Sequence, residues 1–148
     1  MQISDILSLD CILSNVDCHS KKDTLDTLAK TIAASDSGTS QTEVFDCLIA
    51  RERLGSTGLG NGIAIPHGRL KQGKKTLAAF LQLETAVDYD AIDKLPVDLL
   101  FALIVPEEST EEHLQTLAKL AEMFSDPSIV NKLRRANTSE EIYSILTG

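Results

Sequence analysis

The sequence predicts an α/β fold: a three-layer α/β/α sandwich around a central mixed β-sheet, in the order roughly βααβββααα. Three observations carry this. The run Val97–Val105, VDLLFALIV, is nearly all apolar, as in a strand covered on both faces. Segments of helical period stand before and after a cluster of strand-like segments. Helix start signals recur along the chain, at Ser20-x-x-Asp23, Ser40-x-x-Glu43, Ser109-x-x-Glu112 and Thr138-x-x-Glu141, each similar to a capping box.

Taken in order, Cys11–Val16 is a short strand. The Ser20 signal opens a helix with Leu25, Leu28, Ala29 and Ile32 on one face. The Ser40 signal opens a second, with Phe45, Leu48 and Ile49. Gly62–Pro66 (with Ile63 and Ile65), Thr76–Glu84 and Val97–Val105 read as strands, and Asp88–Pro96 as an irregular excursion. Leu114, Leu117, Ala118 and Ala121 define the face of the helix opened by Ser109. Asp126-Pro127 reads as an N-cap followed by proline in the first turn, starting a short helix through Ile129, Val130 and Leu133. Ile142, Ile145 and Leu146 mark the last helix. With no repeat, low-complexity tract or Pro/Ser linker, residues 1–148 are expected to form one domain.

Composition narrows the function. Hydrophobic residues make up 43% of the chain and charged residues 24%, as in a water-exposed globule. Trp is absent, so aliphatic residues and alanine must fill the core. The net charge of −8 and a pI near 4.8 argue against nucleic acid and anionic membranes as ligands. Such a chain suits electrostatic steering toward a basic protein partner. Cys11, Cys18 and Cys47 form neither a CxxC nor an even set, so free thiols are expected. The N-terminus lacks the features of a signal peptide, and the run Leu99–Val105 is too short to span a bilayer. A cytoplasmic location without membrane insertion is expected.

The stretch Leu54–Leu70, LGSTGLGNGIAIPHGRL, holds five of the chain's eight glycines. It sets His67 between a rigid proline and a permissive glycine. A histidine at a strand end is often structural, but here glycines remove Cβ atoms around one site and free backbone amides to meet an anion. The Lys-Ser/Thr ending of a nucleotide-binding loop is missing. A neutral imidazole is a good nucleophile near pH 7 and accepts phosphoryl groups reversibly. Phosphoryl transfer then needs cationic or N–H stabilisation of the equatorial oxygens. Arg51, at the end of the Ser40 helix, has the fork geometry for it, and Arg53 is close by; both equally suit a helix C-terminus. His113 lies in the first turn of the Ser109 helix, a position that attracts anions, yet among Glu107, Glu108, Glu111 and Glu112 it also reads as a surface residue. No paired spacing such as HExxH supports a metal site of His67, His113 and His19, and Ser56 lacks a nucleophile-elbow motif.

The run GSTGLGNGIAIPHGR, with the later IDKLPVDLLFALIVPEE and HLQTLAKLA, resembles the enzyme IIA proteins of the fructose/mannitol family of the bacterial phosphoenolpyruvate-dependent phosphotransferase system. Within that family it looks most like the nitrogen-regulatory branch, and the resemblance covers nearly the whole chain. The resemblance implies that His67 is phosphorylated, on the ring nitrogen remote from the backbone, that Arg51 stabilises the phosphoryl group and that His113 supports it. It implies a histidine-phosphorylated carrier protein as donor, direct transfer between histidines, and no metal or nucleotide cofactor. The chain ends at Gly148 without a IIB cysteine motif or membrane segment, so a free-standing regulatory IIA acting on target proteins is expected. The alternatives are a sugar-transport IIA serving a separate fructose or mannitol IIB, and a binding module without phosphotransfer.

Overall fold

The apolar run of the sequence becomes the central strand. In the computed structural model, which describes residues 2–71, 73–109 and 111–148, strand β6 (Val97–Pro106) is buried along nearly its whole length. Ahead of it come helix α1 (Ile3–Ile6), a 3-10 turn over Leu9–Cys11, β1 (Ile12–Val16), α2 (Lys21–Ser35), α3 (Gln41–Arg53), β2 (Gly58–Gly60), β3 (Ile63–Ala64), β4 (His67–Leu70) and β5 (Leu77–Val87). Helices α4 (Glu111–Phe124), α5 (Pro127–Arg135) and α6 (Ser139–Thr147) follow.

The sheet runs β1-β5-β6-β3-β2, with β4 also on β6. Strand β5 pairs antiparallel with β6, while β1 on β5 and both β3 and β4 on β6 are parallel, so the sheet is mixed and the α/β/α class holds. Helix α2 packs on α3, and the pair meets the sheet at β5 and β4. Helix α6 packs on β1, and Phe124 of α4 meets the rings of Phe80 on β5 and Phe101 on β6.

The capping signals do what their chemistry requires. Ser20, Ser40 and Thr138 accept hydrogen bonds from the backbone N–H groups of Asp23, Glu43 and Glu141, and Asp126 accepts from Ser128 with Pro127 in the first turn. Helix α4 begins at Glu111; Thr110, within the Ser109 signal, lies outside the described residues.

Two expectations need correction. The order gains α1, β2 and β4. More important for function, the predicted strand Gly62–Pro66 shrinks to Ile63–Ala64, and His67 opens a further strand, β4. Ile63 faces Leu99 and His67 faces Leu103, so one register runs along β6 through both β3 and β4. Pro66, having no N–H, interrupts the run without breaking it, and its carbonyl still accepts from Leu103 at 3.0 Å. The second correction concerns α4. Its buried residues are His113, Leu120 and Phe124, whereas the expected core residues Leu114 and Ala118 are exposed. The apolar face read from the sequence is covered only in part: Leu117, packed against the core, and Ala121 are half-buried.

One residue that composition would place outside lies within the sheet. Gln82 on β5 is buried; its amide donates to the carbonyls of Leu133 and Ala136, both at 2.8 Å, and its oxygen accepts from the Asn15 N–H at 3.0 Å. It ties β1, β5 and the end of α5 together. Gln82→Met keeps the volume but leaves three backbone groups unpaired, so it is expected to cost about 3 kcal/mol. Urea titration measures this; a loss under about 1 kcal/mol would mean that the three groups find other partners.

Candidate functional site

Strand β4 carries His67 half-buried on the sheet. Its Nδ1 lies 2.8 Å from the carbonyl oxygen of Ile65. A carbonyl only accepts, so Nδ1 carries the proton and Nε2 keeps its lone pair. Burial, with the charge of Arg51, pushes the His67 pKa below its ordinary value, against opposing effects of the Ile65 carbonyl and Glu52. The ring is therefore neutral at pH 7.

The next residue shows why a glycine is needed. A Cβ on Gly68 would collide with Sγ of Cys47 and stand 3.1 Å from the Cys47 carbonyl oxygen. Gly68 thus lets α3 approach β4 closely, and Cys47 donates its thiol to the Arg69 carbonyl at 3.0 Å. One turn further along α3 is Arg51. Its Nη1 donates to the Gly55 carbonyl at 2.8 Å, which holds the guanidinium over the start of the glycine loop. Across the loop, Gly60, Asn61 and Gly62 all have positive φ, and a Cβ on Gly62 would meet Arg134 and the Asp98 carboxylate.

His113 enters from the other side of the sheet's end. It is buried, at 5% exposure, which corrects the reading of a first-turn surface residue. Its ring centre is 5.4 Å from that of His67, the planes tilted by 51°. Its Nδ1 is buried with no hydrogen-bond partner among the described residues. Burial first, then the nearby charges of His67 and Arg69, lower its pKa to about 4.

That shift has a consequence for stability. The unfolded His113 titrates near 6.5 and the folded one near 4, so below pH 6.5 the unfolded state binds the proton that the folded state refuses. Stability is full above that pH and falls as the pH drops toward 4. We expect a loss of about 2 kcal/mol from this group between pH 7 and pH 5. Denaturant midpoints across that window should fall, and His113→Gln should remove at least half of the slope. An unchanged slope in that variant would place the cause elsewhere.

Two hollows meet at His67. One, of about 470 Å³, is lined by Cys47, Arg51, His67, Arg69, His113 and Leu114 among others. The second, about 390 Å³, takes in Arg51, Ser56, Leu59, His67, Ile92 and the α4 residues Leu117, Ala118 and Ala121. The partly covered face of α4 is therefore the wall of this hollow. Leu54, Leu59, Ile92 and Leu114 stand exposed around both, Leu54 and Ile92 at 84% and 85%. Larger hollows by α1 and beside the β4–β5 connection hold neither histidine.

The structure thus brings His67, Arg51 and His113 together; His19 stays apart, exposed beside Asp17. Arg53 is exposed at the end of α3, and Ser56 lines the second hollow, its hydroxyl accepting from the Gly58 N–H at 3.1 Å. Among the described residues no group of three or more His, Cys, Asp or Glu side chains is arranged to hold a metal, and no helix is long and apolar enough to cross a membrane. Sequence reasoning missed Arg69, two residues from His67 on β4, and Glu52, which lies buried one residue beyond Arg51. Period gives the signal for Glu52: it continues the buried face of Val44 and Leu48 at four-residue steps.

A neutral imidazole with a free Nε2, a second imidazole and a guanidinium thus meet at a mostly apolar surface, an arrangement whose groups could accept a phosphoryl group and meet its charge. Residues 5–148 match the family described as phosphoenolpyruvate-dependent sugar phosphotransferase system, EIIA 2, and the chain belongs to that family. It is 46% identical to the nitrogen regulatory protein of Klebsiella oxytoca over 148 residues, covering 99% of this chain and 91% of that protein. The crystal structure of nitrogen regulatory protein IIA-Ntr from Neisseria meningitidis superposes with a TM-score of 0.93 at 44% identity, covering 98% and 99% of the two chains. Mannitol enzyme IIA of Escherichia coli, solved in complex with phosphorylated enzyme IIB, shares the fold at a TM-score of 0.80 and 20% identity, covering 95% and 96%.

Proposed function

We propose that the protein is a regulatory IIA of a nitrogen-type phosphotransferase system, in which His67 is reversibly phosphorylated by a histidine phosphocarrier protein. The observation that carries this is the His67 ring itself: Nδ1 is engaged with the Ile65 carbonyl, so Nε2 is the free nucleophile, beside Arg51 and His113. The Nε2 lone pair attacks phosphorus as the P–N bond of the carrier's phosphohistidine breaks; that bond's electron pair returns to the carrier's ring, which bears a proton on its other nitrogen and so leaves as neutral imidazole, while the phosphorylated His67 ring keeps Nδ1–H at the Ile65 carbonyl and takes over the positive charge. No metal or nucleotide cofactor takes part. Arg51 and the N–H of neutral His113 meet the charge on the equatorial oxygens.

The exposed leucines and Ile92 around the hollows suit a protein surface better than a small polar substrate. Phosphorylation places about two negative charges amid these apolar groups, and the two states then bind regulatory target proteins differently. Residues 1–148 work as one IIA domain, in the cytoplasm, where the carrier would be available.

Reconstitution with enzyme I, carrier and labelled phosphoenolpyruvate tests the reading. The protein should take the label from the carrier and pass it to a fructose or mannitol IIB at least a hundredfold more slowly than it receives it. Onward transfer at the same rate would make it a sugar-transport IIA instead, and no uptake at all would overturn both.

A further inference from the structure

The glycine loop has few side chains with which to hold its shape, yet His67 depends on a carbonyl beside it. Glu52 connects the two. Its buried carboxylate lies 2.7 Å from Nζ of Lys21 and accepts from the Tyr89 hydroxyl at 3.0 Å. It also accepts the Thr57 backbone N–H, at 3.2 and 3.3 Å from its two oxygens, and the Thr57 hydroxyl. Lys21 sits over the Tyr89 ring, 4.6 Å from its centre. A buried carboxylate is tolerable only when its oxygens are satisfied in this way, so each of these groups fixes the others.

The contacts continue toward the histidine. The Thr57 carbonyl accepts the Ile65 N–H at 3.0 Å, and the Ile65 carbonyl accepts Nδ1–H of His67 at 2.8 Å. Between β3 and β4 the central strand takes the Pro66 carbonyl, and the Ile65 N–H is held from the loop side. Glu52 therefore reaches His67 through two residues of backbone and touches neither its ring nor a phosphoryl group.

We propose that Glu52 is a positioning residue for His67: anchored by Lys21 and Tyr89, it fixes Thr57 and through it the Ile65 peptide, whose carbonyl selects the His67 tautomer with Nε2 unprotonated. The inference rests on the reading of His67 as phosphoryl acceptor. A ring free to exchange tautomers would spend part of its time with Nε2–H, which has no lone pair for phosphorus. Glu52 thus acts on the fraction of competent nucleophile and leaves the affinity for the carrier unaltered.

The test uses the full chain. Nitrogen-15 correlation spectra of the unphosphorylated protein report the His67 tautomer directly, and single-turnover transfer from phosphorylated carrier reports the rate. Wild type should show Nδ1–H alone. Glu52→Gln should give a mixture of tautomers and a saturating rate about tenfold lower, with the half-saturating carrier concentration unchanged. A folded Glu52→Gln protein with the wild-type tautomer and a rate within about twofold would overturn the proposal. If that variant does not fold, Thr57→Ala and Thr57→Ser decide: the alanine variant should show mixed tautomers, the serine variant the wild-type spectrum, and equal behaviour of the two would overturn the proposal. Were wild type to accept no phosphoryl group, the functional reading would fall, while the spectra of the unphosphorylated variants would still decide the role of Glu52.

Discussion

Replacing His67 with alanine is expected to abolish phosphoryl acceptance from the carrier while leaving the fold intact. The side chain is half-buried and its Nδ1 hydrogen bond is to a neighbouring carbonyl, so its loss removes little packing. Acceptance is expected to be lost because the remaining groups differ in kind: His113 is buried, with no hydrogen-bond partner for its Nδ1 among the described residues, and the Ser56 hydroxyl is a weak nucleophile that accepts from the Gly58 N–H. Acid-labile phosphate should be absent from His67→Ala at any carrier concentration, with a melting temperature within a few degrees of wild type. Undiminished acid-labile phosphate on that variant would move the acceptor elsewhere.

The second large effect belongs to Arg51. Its guanidinium is pinned at Nη1 by the Gly55 carbonyl, which leaves the other N–H groups to face the hollow at His67. Removal of one oriented donor from a charge-developing transition state costs about 10²- to 10³-fold in rate. Arg51→Ala should show a fall of that size in single-turnover transfer. Arg51→Lys should recover only part of it, because one ammonium cannot hold the Gly55 carbonyl and span two phosphoryl oxygens together. Full recovery by lysine would reduce the role of Arg51 to a point charge at the end of α3.

Much of this site is legible in the sequence, and the parts that are not have physical reasons. The caps of α2, α3, α5 and α6 and the apolar run of β6 are local signals, and each forms the element its chemistry favours. Strands β2 and β4 are hidden because glycine and proline weaken strand propensity; pairing with β3 holds β2, and register on β6 holds β4. The burial of His113 is masked by Glu111 and Glu112, although its spacing to Leu117, Leu120 and Phe124 puts it on one helical face. Glu52 escapes notice because a carboxylate in a charged helix end reads as solvated, and its partners Lys21, Thr57 and Tyr89 come from three separate segments. The proximity of Arg51, His67 and His113 is beyond local patterning altogether. It arises because β4 and α4 meet at one end of the sheet and Gly68 admits α3 beside them.

The most direct test is to locate the phosphoryl group on the wild-type protein. After phosphorylation by enzyme I and carrier, phosphorus-31 and nitrogen-15 spectra identify the atom that bears it. A single phosphoramidate on Nε2 of His67, with Nδ1–H still bonded to the Ile65 carbonyl, is the expected result. Phosphate on Nδ1, on His113 or as an acid-stable ester on Ser56 would contradict it.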